Sequence, residues 1–147
     1  MRRRTALTLG AALAAPRAWA QAPRRQESRM QLKITLDGQP HTATLTESVA
    51  ARAFAAQLPL SLALQDYADT EKIATLPTRL PPEPGAAHTG APGDITYYAP
   101  WGNLALFYGH GPRAPAGLVY LGRLDGDFST LRRATRITLE RMDEKVE

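Results

Sequence analysis

The side chains best suited to chemistry are concentrated in one stretch, Tyr97-Tyr98-Ala99-Pro100-Trp101-Gly102-Asn103, with Tyr108 shortly after it. Pro100 suits the second position of a tight turn and Gly102 the fourth, so Trp101 falls in a turn between two strands. A large apolar ring there is costly unless it is covered or used. Tyr97 and Tyr98 must point to opposite faces of their strand. Asn103 adds an amide donor and acceptor. An aromatic floor with a few polar groups is what a peptide or small-molecule pocket requires, so Tyr98, Trp101, Asn103 and Tyr108 are the expected ligand-binding residues. For Trp101 itself the favoured reading is structural, the ring plugging one end of the fold beneath the loop Pro77–Pro92.

Other chemistries find little support. The chain has no cysteine, which excludes disulfides, thiolate metal sites and a cysteine nucleophile. His41, His88 and His110 are widely separated and lack the i, i+2 or i, i+4 spacing that places two nitrogens on one metal. Asp66, Asp69 and Glu71 lack the central glycine and distal glutamate of a calcium loop and read as a polar turn. None of Ser28, Ser48, Ser61 and Ser129 lies in Gly-x-Ser-x-Gly. No Gly-x-Gly-x-x-Gly or phosphate loop occurs, and no helix follows Gly109-His110-Gly111. The expectation is no catalytic residue, no metal and no cofactor.

The net charge of +4 comes from the start of the chain. Arg2, Arg3, Arg4 and Arg17 are four of the eighteen basic residues, and none of the fourteen acids falls in the first twenty positions. What remains is balanced at fourteen of each, so nucleic acid is not an expected partner. Arg2-Arg3-Arg4, the modestly apolar Thr5–Ala15 and the small-x-small motif Ala18-Trp19-Ala20 read as a cleavable signal at 1–20. The paired arginines resemble a twin-arginine signal, with the general secretory route as the alternative. Residues 21–29 read as a linker, 30–143 as one domain and 144–147 as a tail. The expected location is exported, periplasmic or secreted, with no stable membrane insertion after cleavage. A true start at Met30 is the competing reading of the N-terminus.

The body is a series of short strands. Met30, Leu32, Ile34 and Leu36 alternate with polar residues, Asp37-Gly38 makes a hairpin turn, and His41, Ala43 and Leu45 face one side of the return strand. Ser48 caps the one longer helix, whose stripe is Ala51, Phe54, Ala55 and Leu58, with Pro59 ending it. Leu60–Leu64 and Lys72–Leu76 follow as strands around a polar turn at Asp66–Thr70. Pro77–Pro92, with five prolines and two glycines in sixteen residues, is a long loop. Strand, turn and strand occupy 93–108 and are apolar on both faces, hence central or covered by loops. After another Gly/Pro loop, Leu118–Leu124 forms a strand, Asp127–Arg133 a short helix and Thr135–Met142 the last strand. This pattern predicts a mainly β protein closed into a small barrel.

Gly93–Tyr108, with Tyr-Tyr-Ala-Pro-Trp-Gly-Asn-Leu at its heart, resembles the signature of bacterial cyclophilin-like proteins. Leu58-Pro59-Leu60, Asp66-Tyr67, Glu71-Lys72 and Leu121-Gly122-Arg123 resemble that family as well, over Met30–Asp143. Leu121-Gly122-Arg123-Leu124 and Gly93-Asp94 are also similar to segments of true cyclophilins. The resemblance implies a closed eight-stranded cyclophilin-like barrel with one longer and one short capping helix. It also draws Glu71 into the expected ligand-binding residues, while strand alternation points Glu71 away from Lys72. Prolyl isomerisation needs a fixed cation beside the prolyl nitrogen to lower a barrier of about 20 kcal/mol. The Phe-His-Arg of active cyclophilins is missing, and Leu62-Ala63-Leu64-Gln65-Asp66-Tyr67 offers a carboxylate instead. The expected function is therefore non-catalytic binding of a peptide or small molecule. A divergent peptidyl-prolyl cis-trans isomerase is the first alternative and a purely structural domain the second.

Overall fold

The computed structural model describes Gly10 and residues 30–142. The expected signal, linker and tail otherwise lie outside the described residues. Nine antiparallel strands form one nearly closed barrel: β1 Met30–Leu36, β2 Gln39–Leu45, β3 Leu60–Ala63, β4 Gln65–Tyr67, β5 Glu71–Thr75, β6 Asp94–Tyr98, β7 Asn103–Phe107, β8 Leu118–Leu124 and β9 Arg136–Arg141. Their order around the sheet is β3-β9-β1-β2-β8-β6-β7-β5-β4.

Nine strands rather than eight follow from what happens at Leu64. Ser61 and Leu62 pair with β9 through Thr138 and Ile137. One residue past the end of β3, the Leu64 amide still bonds the Thr135 carbonyl at 2.8 Å. Immediately afterwards Gln65, Asp66 and Tyr67 pair with Ile73, Lys72 and Glu71 of β5. The chain bends at Leu64, whose side chain is buried, and thereby borders both ends of the sheet. Part of the expected polar turn at Asp66–Thr70 is thus the short strand β4.

Where local signals are strong, they act as expected. Asp37 and Gly38 both take positive φ, 46° and 83°, the conformation a two-residue hairpin turn demands. Asp37 also accepts hydrogen bonds from Thr135 N, Thr135 Oγ1 and Arg136 N, each at 2.9 Å. These fasten the first hairpin to the start of β9. Ser48 accepts from Ala51 N at 3.1 Å and opens helix α1, Val49–Ala55. That helix is only seven residues long and stops at Ala55, four positions before Pro59. It buries Phe54 completely, a contribution of about 1.5–3 kcal/mol. The second expected helix is a single 3-10 segment, Ser129–Arg133, started by Asp127 accepting from Ser129 N at 2.8 Å.

The interior is filled by Leu32, Ile34, Leu45, Phe54, Tyr97, Leu104, Leu106, Leu121 and Leu139. At Gly122 the backbone of β2 comes so close that a Cβ would lie 2.2 Å from the Thr44 carbonyl oxygen. Only glycine permits that strand contact. A smaller apolar group, Ala105, Phe107 and Leu118 with Ile73 and Tyr98, lies on the outer face of the same sheet. This second layer carries the site.

Candidate functional site

Strands β6 and β7 are central, flanked by β8 and β5, and join through the turn that presents Trp101. Alternation separates the two tyrosines as expected. Tyr97 points into the barrel, where its hydroxyl accepts from Leu80 N at 3.3 Å, and Tyr98 points outward. The Trp101 ring is 51% exposed. Contrary to the structural expectation, a ring so exposed is not sealed beneath the loop Pro77–Pro92. Arg79 of that loop bonds the Ala99 carbonyl at 3.1 Å and lies against Gly102. Trp101 is held by its neighbours instead, with Tyr67 and Tyr98 each meeting it at 5.3 Å between centroids and at interplanar angles of 85° and 79°. Such edge-to-face contacts orient aromatic rings.

Beside Trp101 lies a pocket of about 400 Å³ whose lining includes Tyr67, Glu71, Tyr98, Phe107 and His110. Phe107 is its buried floor. Two loops clasp that ring, for Gly111 N donates to the Gly90 carbonyl at 2.9 Å. A Cβ on either glycine would lie about 2.5 Å from the ring, 2.5 Å at Gly90 and 2.6 Å at Gly111. Register places Glu71 of β5 directly opposite Phe107 of β7. Burial alone pushes the Glu71 carboxyl above its ordinary range. No lysine or arginine is among the residues lining the pocket.

Trp101 also borders a second pocket of about 370 Å³, shared with Gln65, Ile73, Thr75 and Asn103. Asn103 is nearly fully buried, and its Oδ1 has no hydrogen-bond partner among the described residues. A buried acceptor left open in this way costs free energy until a donor reaches it. Tyr98, Trp101, Glu71 and Asn103 therefore share one outer face, arranged as two hollows on either side of the indole.

Tyr108 does not join them. It follows Phe107 and so faces the opposite way, packing against the interior core and donating a hydrogen bond to Asp66. Arg132 lies over its ring at 5.1 Å, and Lys72 reaches Asp66 at 3.4 Å. Burial and the Asp66 carboxylate hold the Tyr108 phenol in its protonated form. The same hydrogen bond, followed by the Lys72 charge, holds Asp66 below the usual carboxylate range. This is a polar cluster at the barrel mouth, separate from the aromatic face.

Sequence reasoning missed Tyr67 and Phe107 as pocket residues. Tyr67 sat in an apparent polar turn and Phe107 in a uniformly apolar strand; the Asp66-Tyr67 pair in the family resemblance was the available signal. It also treated His88 as an isolated loop residue. His88 Nε2 lies 2.9 Å from the buried Asp94 carboxylate, which also accepts from Ala91 N at 2.9 Å. That pair fixes the end of the Pro-rich loop to β6. A larger, more open depression of about 940 Å³ lies elsewhere, between Lys33, His41, Pro59, Asp125, Glu140 and Arg141. It has no tyrosine, tryptophan or phenylalanine in its lining, its His41 is bonded to Thr130, and Arg141 bonds the Ala55 carbonyl. Among the described residues no group of three or more His, Asp or Glu is placed to hold a metal ion.

No curated protein matches the chain. The solution structure of a hypothetical protein from Archaeoglobus fulgidus is similar in fold, with a TM-score of 0.62 and 22% identity over 78% of this chain and 95% of that one. A family model described as the cyclophilin-like family matches residues 34–143, and the chain belongs to that family.

Proposed function

We propose that this chain is an exported binding protein that holds a peptide or small molecule on the outer aromatic face, across Trp101. The half-exposed indole carries the reading. A ring of that size, fixed edge-on by Tyr67 and Tyr98 between two hollows, leaves apolar surface uncovered where a ligand would cover it. The open acceptor of Asn103 supplies a directional polar contact in the adjoining hollow. A purely structural role gives no reason for leaving that ring in water.

The test is a titration of Trp101 emission against peptides and metabolites in a Trp19→Phe background, Trp19 being the other tryptophan of the chain. Saturable shifts that vanish in Trp101→Ala, read instead by backbone amide shifts, are expected. A surface indifferent to every class of ligand would sink the reading. Export rests on the Arg-rich start and Ala18-Trp19-Ala20. Mass measurement of protein from the periplasmic fraction is expected to find cleavage after Ala20, and full-length protein confined to the cytoplasm would refute it.

A further inference from the structure

We infer that the pocket beside Trp101 takes a compact organic cation, an alkylated ammonium group, with Glu71 as counter-charge and the rings of Tyr67, Tyr98 and Trp101 as walls. The inference rests on the binding reading above and narrows it to a ligand class. Three observations lead to it. Aromatic faces carry negative quadrupole charge and attract alkylated ammonium groups, which lose little hydration on entering such a site. Trp101 and Tyr67 are 51% and 43% exposed, so ring surface remains beyond their mutual edge-to-face contacts. Glu71 is half-buried in the pocket and makes no salt bridge or side-chain hydrogen bond among the described residues.

A carboxylate removed from water without a partner is costly, and an entering cation relieves that cost. The protein's own nearby cation cannot supply it, because Lys72 leaves β5 on the interior side and reaches Asp66. His110 is the only lining residue able to carry a positive charge. A volume of about 400 Å³ admits an ammonium head with further substituents. The shared chemistry is the alkylated ammonium, whether free or carried on a peptide side chain.

The experiment titrates the full chain, in the Trp19→Phe background, with tetramethylammonium, choline, a trimethyllysine peptide and the neutral tert-butyl isostere of choline. The cations are expected to change Trp101 emission saturably, with the isostere at least about tenfold weaker. Glu71→Gln should remove that gap while leaving the amide spectrum of the fold unchanged. Tyr67→Leu, at an exposed position, should weaken the cations several-fold and serves as a second variant. Preference for the peptide would assign the cation to a side chain, and preference for choline to a free metabolite. Equal binding of cation and isostere would overturn the cation inference and leave the binding reading intact. So would silence to all four probes beside a clear response to other peptides. Silence to every ligand would remove both.

Discussion

Glu71 and Lys72 adjoin in β5 yet serve opposite faces of the sheet, Glu71 lining the aromatic pocket and Lys72 reaching Asp66 at 3.4 Å on the interior side. Their substitutions should therefore separate. Lys72→Met keeps the apolar stem in place and gives up only a partly exposed ion pair. Its stability should change by no more than about 1 kcal/mol, with ligand titrations untouched. Glu71→Gln should be as stable as the parent or slightly more so at neutral pH, because a desolvated charge is gone, and should bind cations less well. Urea unfolding and Trp101 titration of both variants check this. Equal loss of binding in the two would contradict the assignment of faces.

Asp37 makes stability depend on acid. Hydrogen bonds from Thr135 and Arg136 hold its carboxyl below the usual value of 3.8. A carboxylate whose folded pKa is depressed stabilises the fold fully above its unfolded pKa, and that stabilisation is lost as pH falls through the folded one. Asp37→Asn tolerates the positive φ but lacks the charged acceptor. The gap in urea midpoint between parent and variant should be widest at neutral pH and close as pH falls below the usual carboxylate value of 3.8. A gap that stays constant on acidification would show that ionised Asp37 contributes nothing special.

Phe107 joins the core of the sheet to the pocket. Phe107→Ala should cost about 3–5 kcal/mol and abolish ligand-dependent emission together, since the floor and the anchor of both loops disappear. Gly111→Ala is the gentler probe. Its Cβ would displace the ring without deleting it, so binding should fall further than stability does. Chemical denaturation and titration of both variants provide the comparison.

A protease-coupled prolyl-peptide assay is expected to show no acceleration. Isomerisation needs a cation presented to the prolyl nitrogen, and Arg79, the guanidinium held at the Trp101 turn, donates to the Ala99 carbonyl instead. Acceleration that disappears in Arg79→Ala would restore the isomerase reading.

What could be read from the sequence was whatever depends on near neighbours. Asp37-Gly38, Ser48 and the alternation of β1 each express a preference complete within a few residues, and each is realised. The prominence of Trp101 was equally legible, because a tryptophan beside proline and glycine in a turn needs a reason. Whether its ring was sealed or open depended on the path of a sixteen-residue loop, which composition does not fix. The pocket was less legible still. Glu71 meets Phe107 only because β5 pairs with β7 across that loop, and Tyr67 meets Trp101 only because three polar-looking residues form β4. Tyr108 was misplaced by a single step of alternation, its face being set by Phe107 before it.

The bend at Leu64 has a consequence for how this molecule can fail. A sheet that ends in free edges exposes unpaired amides and carbonyls that recruit other chains. Here consecutive residues form both margins, β3 covering β9 and β4 covering β5, so a nick, an insertion or a helix-favouring substitution between Ala63 and Gln65 would uncover two strands rather than one. Damage at that point should spread between molecules as self-association, where comparable damage at the Gly38 hairpin would remain a local loosening.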